Sequence, residues 1–367
     1  MDKSPTSAVL LSGLAICSGP GGALPRLYVL GQQKSGSTAI STILFQAGAL
    51  PMVPFNQADA IRGHGHEGVA RSYSQALWGA HADTLLQGNV KESNLLRGVK
   101  QPGCWSTTCL IQAKQKWEKK LSFFSNCSSW NTTLLSDMST DNLHKPERAA
   151  LLTSLYGPLA AHLMFVVILR KPVERFRSAF YWYYNSEHFG QQRDDKHRHA
   201  HNRTLAMEIA LLSSTLPPTF GLVRTAWSEL QTTALDTFTR TMYFLNWRPW
   251  LEQFEARQFV VFPMDYALQN VSRATSMVST HFGVPLAKKA HIFNANKPVK
   301  TINPNRYQAV EDADTVRGLE WLQTTYFAPD TRHLARLFSA AMQRGFLLAG
   351  ATSSDEDDVR AFLEENW

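Results

Sequence analysis

The segment Leu27-Tyr28-Val29-Leu30-Gly31-Gln32-Gln33-Lys34-Ser35-Gly36 constrains this chain more than any other stretch. An apolar, strand-like run breaks at Gly31 and passes through a loop that carries Lys34. At Gly36 it enters Ser37-Thr38-Ala39-Ile40-Ser41-Thr42-Ile43-Leu44, where Ile40, Ile43 and Leu44 recur at helical spacing. A strand, a tight glycine loop and a helix N-terminus together form an anion cradle. Loop N–H groups and the positive helix end face the ligand, and a lysine adds a full charge. The expected ligand is a phosphate or a chemical relative of one.

Spacing narrows the choice. The nucleotide-kinase loop reads G-x-x-x-x-G-K-S/T, with its lysine directly after the second glycine. Gly31 and Gly36 have that separation, but Ser37 stands where the lysine belongs and Lys34 sits inside the loop. The arrangement G-x-x-K-S-G-S-T resembles the 5′-phosphosulfate loop of the sulfotransferases, which take a sulfuryl group from 3′-phosphoadenosine 5′-phosphosulfate (PAPS). The resemblance implies that Gln33, Lys34, Ser35, Gly36, Ser37 and Thr38 bind this donor.

A second motif follows at 163–184. Leu163-Met164-Phe165-Val166-Val167-Ile168-Leu169 is a continuous apolar run, as expected for a strand buried on both faces of a parallel sheet. It ends in Arg170-Lys171-Pro172, and Pro172 suits the first turn of a helix, where its missing N–H costs nothing. Arg170 is then placed at the strand's C-terminal end and Ser178 about two turns into the helix. The pattern R-x-P-x-x-R-x-x-S is similar to the sulfotransferase motif that grips the donor's 3′-phosphate, which implies Arg170 and Ser178 as its ligands. Arginine suits the role because its planar fork donates two charge-assisted hydrogen bonds to one phosphate. Arg175 and Arg177 read as readily as a solvated helix face.

Further likenesses point to the heparan- and chondroitin-type carbohydrate branch of the family. Val90-Lys91-Glu92-Ser93-Asn94-Leu95-Leu96 resembles its K-E-x-H-F-F segment, which implies Glu92 as the base. Tyr326-Phe327-Ala328-Pro329-Asp330-Thr331 opens a stretch similar to F-Y-x-P-x-N-x-x-L, and Asn246–Phe254 with Phe259–Asp265 resembles a shared helix–strand unit. A lysine-rich loop of the relatives is reduced here to Asn296–Thr301, with Lys300 as its expected donor-binding residue. Asn94 replaces a histidine, Leu95 and Leu96 replace an aromatic pair, and Ser136-Asp137-Met138-Ser139-Thr140 stands where relatives carry E-K-S/T-P. These departures bear on the acceptor more than on the reaction.

Strands alternating with helices argue for an α/β fold: a P-loop-like, three-layer arrangement with a central parallel sheet flanked by helices. Residues 1–24 read as a leader or disordered segment and 25–345 as the sulfotransferase domain, with insertions at about 57–90, 98–145 and 185–232. The acidic stretch in 346–367 reads as a mobile tail. No apolar run reaches the roughly 18 residues of a membrane span, so membrane association is expected only through the N-terminus. The net charge of +7 favours anionic partners. No zinc-finger spacing or aromatic recognition motif speaks for nucleic acid, and the expected partner is an oligo- or polysaccharide acceptor.

The region Ala8–Cys17 is a short, weakly flanked signal-like run, and sequons begin at Asn126, Asn131, Asn202 and Asn270. Both suit a glycoprotein of the Golgi lumen; a cytoplasmic protein is the alternative. Of the four cysteines, Cys104, Cys109 and Cys127 fall in one insertion, as a disulfide pair or as free thiols. No C-x-x-C spacing suggests zinc, and His64 and His66 read as a solvated turn. The expected chemistry has Glu92 deprotonating a sugar hydroxyl while Lys34 stabilises departing 3′,5′-ADP, with no metal. A P-loop phosphotransferase and a non-catalytic polyanion binder are the competing readings.

Overall fold

Runs rich in Val, Ile and Phe become strands because branched and aromatic side chains suit a pleated, buried surface. The computed structural model describes residues 25–36, 40, 44, 49–51, 134–184, 204–232, 235–269, 271–284 and 312–367. Among these, six strands form one sheet: β1 (Leu27–Gly31), β2 (Leu50–Pro51), β3 (Leu135–Asp137), β4 (Met164–Leu169), β5 (Phe259–Pro263) and β6 (Leu347–Leu348). Their order is β2-β3-β1-β4-β5-β6, and every pairing is parallel.

Parallel strands need crossovers, which cover both faces of the sheet. The side chains of β4 divide accordingly: Phe165, Val167 and Leu169 enter one core, while Met164, Val166 and Ile168 enter the other. Helices Pro146–Tyr156, Tyr243–Gln253, Ala328–Met342 and Glu356–Asn366 cover the first face with Leu152, Trp247, Trp250, Phe338 and Leu363. Helices Met264–Gln269 and Val271–Phe282 cover the second, together with Ile40 and Leu44. The expected three-layer α/β fold is therefore present. A third core gathers Phe176, Phe180, Ile209, Leu212, Phe238 and Phe327 beside the helix Pro172–Tyr184.

Local signals set the helix boundaries. Pro146 opens its helix and Gly157, with φ 53°, closes it. Thr204 caps Leu205–Thr215 by accepting from the Met207 amide, and Asp312 caps Ala313–Leu322 through Thr315.

One sequence expectation needs correction, and two of the expected insertions are placed more closely. Residues 346–367 are no mobile tail: β6 pairs with β5, and the helix Glu356–Asn366 buries Val359 and Leu363 in the first core. The acidic run forms that helix's N-terminus, where Asp355 caps the chain and the carboxylates meet the positive end of the dipole. The stretch read as an insertion over 98–145 ends in β3, a member of the sheet. The excursion at 185–232 contributes Ile209, Leu212, Phe220 and Val223 to the third core, so its described part is packed structure.

The order in which strands are added reverses between β1 and β4: from β1 the chain goes on to β2 and β3 on one side, and from β4 to β5 and β6 on the other. Such a switch point opens a crevice at the strands' carboxyl ends.

Candidate active site

Gly31 ends β1 with φ 128°, and a Cβ there would stand 2.5 Å from the carbonyl oxygen of Thr140. Only glycine fits. The chain then leans on the neighbouring strand, since the Gln32 amide donates to the Ile168 carbonyl at 2.9 Å. The Ser35 amide closes a turn on the Gln32 carbonyl at 3.1 Å. Lys34 lies in the left-handed region with φ 69°, a conformation rarely taken by lysine and sustained only when the surroundings impose it. Gly36 follows with φ 85°, and a Cβ there would stand 3.0 Å from the Met264 Cγ and 3.2 Å from the Ile168 Cδ1. The loop is pressed onto the ends of β4 and β5.

Side chains hold the loop from beneath. Arg175 is fully buried and donates through Nε to the Gln33 carbonyl at 3.1 Å. Its Nη1 donates to the Thr237 carbonyl at 2.7 Å and to Thr241 Oγ1 at 2.8 Å. Arg240 donates to Gln33 Oε1 at 2.7 Å and to Asp236 Oδ1 at 2.8 Å, and it pairs closely with Asp141. Arg148 lies behind Asp141 at 3.5 Å and bonds Asn142 Oδ1 at 2.6 Å. His144, buried in this group, lies 3.6 Å from Asp141. Burial, reinforced by Arg240, Lys145, Arg148 and Arg175, holds its imidazole well below the usual range and so neutral.

The second motif meets the first at the carboxyl end of the strands. Arg170 follows β4, is 17% exposed, and places Nη2 3.5 Å from Glu174 Oε2. Ser178 lies on the helix Pro172–Tyr184 and is buried. Arg177 pairs with Glu174 at 2.9 Å and is one-third exposed. The two arginines that read alike in the sequence therefore differ: Arg177 sits on a half-solvated face, and Arg175 braces the loop. Asp265, following β5, has its carboxyl raised by burial, with Arg170 opposing.

Tyr243 joins the halves. Its hydroxyl donates to the Arg170 carbonyl at 2.8 Å and lies 3.4 Å from both the Arg170 amide and Ser35 Oγ. Burial raises the phenol, so it acts as a neutral hydrogen-bonding group. Sequence reading missed both Tyr243 and Arg240. They stand just before the Asn246–Phe254 segment it singled out, and nothing in their spacing signals contact with a loop some two hundred residues earlier.

The structure thus brings Gln33, Lys34, Ser35, Gly36, Arg170 and Ser178 to one end of the sheet. Within that set, Ser35 is fully buried and uses its amide and hydroxyl to hold the loop. Ser37, Thr38, Glu92 and Lys300 lie outside the described residues, as do the leader, the four cysteines and the four sequons.

No family model matches the chain, and no curated protein matches it. Among solved structures it is similar to the crystal structure of a sulfotransferase from Alicyclobacillus acidocaldarius. That match has 15% identity and a TM-score of 0.45, covering 87% of this chain and 99% of that one. It is also similar to the sulfotransferase domain of the Synechococcus PCC 7002 olefin synthase, at 11% identity and a TM-score of 0.31 over 82% of this chain and 94% of that one.

Proposed function

We propose that the protein is a PAPS-dependent sulfotransferase that passes the sulfuryl group to a hydroxyl or amine of a carbohydrate acceptor. One observation carries this reading: the lysine-bearing glycine loop and the Arg170–Ser178 strand–helix turn meet at the switch point, joined through Tyr243. One half suits a 5′-phosphosulfate and the other a 3′-phosphate, which are the two anionic ends of this donor. The residues fit such a ligand. Gly36, at φ 85°, takes a backbone conformation that residues with side chains rarely adopt, and so lets the loop turn tightly. Arg170 has a carboxylate partner at 3.5 Å that a phosphate can replace with shorter, bidentate bonds.

The donor, when bound, supplies a sulfuryl group on a good leaving group. Lys34 neutralises charge that develops on the 5′-phosphate oxygen as its bond to sulfur breaks, electrostatic stabilisation directed at the transition state. Arg170 and Ser178 anchor the 3′-phosphate and fix the donor for in-line attack. Glu92 takes the acceptor's proton as the new bond to sulfur forms, and 3′,5′-ADP leaves with the electron pair. The net charge of +7 suits an anionic oligo- or polysaccharide. Sequons and the signal-like N-terminus support a place in the secretory pathway, in the Golgi lumen.

Transfer of labelled sulfate from PAPS to a panel of glycans tests the reaction, and thermal shifts with 3′,5′-ADP and ATP test the donor class. Stabilisation by 3′,5′-ADP alone is expected; stabilisation by ATP alone would sink the reading. Lys34→Ala is expected to lower turnover by about a hundredfold or more. Glu92→Gln is expected to keep 3′,5′-ADP binding and lose about a hundred- to ten-thousand-fold in rate. Near-normal turnover in that variant would remove Glu92 from the role.

A further inference from the structure

The helix Tyr243–Gln253 has no side-chain cap of its own: Met242 occupies the N-cap position and its side chain supplies no hydrogen bond. A helix start leaves its first amides without intrahelical acceptors, and a buried one needs a partner from elsewhere. Asp330, eighty-six residues later in the helix Ala328–Met342, provides it. Its Oδ2 accepts from the Phe244 amide at 3.0 Å, the amides of Tyr243 and Leu245 also face the carboxyl, and the residue is 1% exposed. The first residue of the capped helix is Tyr243, whose hydroxyl bonds the Arg170 carbonyl and approaches Ser35 Oγ.

We propose that Asp330 is a positioning residue for the donor cleft, acting through the start of the helix Tyr243–Gln253 to fix where the Tyr243 hydroxyl meets the two motifs. Its functional consequence rests on the donor reading above. The cap sets the axial position of Tyr243, and that hydroxyl sets the spacing between Ser35 in the loop and Arg170 at the end of β4. Trp367, stacked on the Tyr243 ring with centroids 5.4 Å apart, restricts sideways movement and leaves the axial position to the cap. Burial raises the Asp330 carboxyl against the pull of the three amides, a cost that an ordinary surface cap avoids.

Backbone hydrogen exchange of the ligand-free protein, read in segments 31–36 and 168–172, tests the coupling. Asp330→Ala and Tyr243→Phe are each expected to speed exchange in both segments, and the double variant to exceed neither single one. Asp330→Asn, whose amide oxygen still accepts from Phe244, should match the wild type. Unchanged exchange in those two segments in Asp330→Ala overturns the proposal. If that variant fails to fold, unchanged exchange in Tyr243→Phe, or faster exchange there in Asp330→Asn, does the same. Affinity for 3′,5′-ADP supplies the functional arm: about tenfold weaker in Asp330→Ala and Tyr243→Phe, and wild-type in Asp330→Asn. A wild-type protein that does not bind 3′,5′-ADP would sink the donor reading, while the exchange data still decide the positioning role.

Discussion

The two halves of the cleft reach the same end of the sheet by opposite means. The Arg170 half is made locally: an apolar strand, a proline at the first helical position, and a regular helix that carries Ser178. The loop half has a left-handed lysine, two glycines at positive φ, and supports drawn from Arg175, Arg240 and Tyr243. The Arg170 half takes its secondary structure from its own residues, and Tyr243 is its distant tie, bonding the Arg170 carbonyl at 2.8 Å. The loop half depends on groups distant in sequence, so its geometry should fail first when packing is disturbed.

Arg175→Met gives the largest expected effect on stability. The substitution keeps a long apolar stem but removes the donors to the Gln33 and Thr237 carbonyls and to Thr241 Oγ1. The Thr237 carbonyl keeps the Thr241 hydroxyl at 2.8 Å, so the Gln33 carbonyl is the acceptor that loses its side-chain donor. A buried acceptor left unmet costs about 1–3 kcal/mol, so a loss of about 2 kcal/mol is expected. Denaturant unfolding measures it. A midpoint within experimental error of the wild type would show that the loop stands without this arginine. The comparison between the halves would then collapse.

The same contrast explains what the sequence made legible. The continuous apolar run of β4, Pro172 in the first helical turn and the Gly31–Gly36 separation are local signals, and each is realised in the structure. The three-layer fold follows from them because parallel strands must be covered on both faces. Tertiary supports leave no such trace. Arg175 and Arg177 are two residues apart on one helix, and only the third core decides which of them faces inward. The acidic run at 353–358 misleads because composition alone cannot tell a solvated tail from a helix N-terminus that uses the same carboxylates.

Asp330→Asn sharpens the comparison through pH. Burial holds the Asp330 carboxyl at about 8, against an ordinary value of 3.8. Between those values the folded protein binds a proton that the unfolded chain has released, so stability falls as pH rises through this window. His144 gives the opposite slope: neutral when folded but protonated below about 6.5 when unfolded, it makes stability rise toward that pH. The difference between wild type and Asp330→Asn isolates the carboxyl. The melting temperature of the wild type relative to the variant should fall from pH 5 to pH 8 and level off above. A constant difference across that range would mean that the carboxyl is not held protonated by its burial.

Arg177→Ala is the smallest expected effect and the control for the largest. Its guanidinium bonds Glu174 at 2.9 Å, with both side chains about one-third exposed. Water screens such a pair and side-chain entropy opposes it, so a change within about 0.5 kcal/mol is expected. Glu174 also lies 3.5 Å from Arg170, and loss of Arg177 leaves that carboxylate to Arg170 alone. On the proposed donor reading a 3′-phosphate then competes with an undivided partner, and 3′,5′-ADP affinity should weaken by about twofold while the unfolding midpoint holds. A stability loss approaching that of Arg175→Met would show that exposure does not separate the two arginines. The helix would then be braced on both sides, and the Arg170 half would be as dependent on distant contacts as the loop.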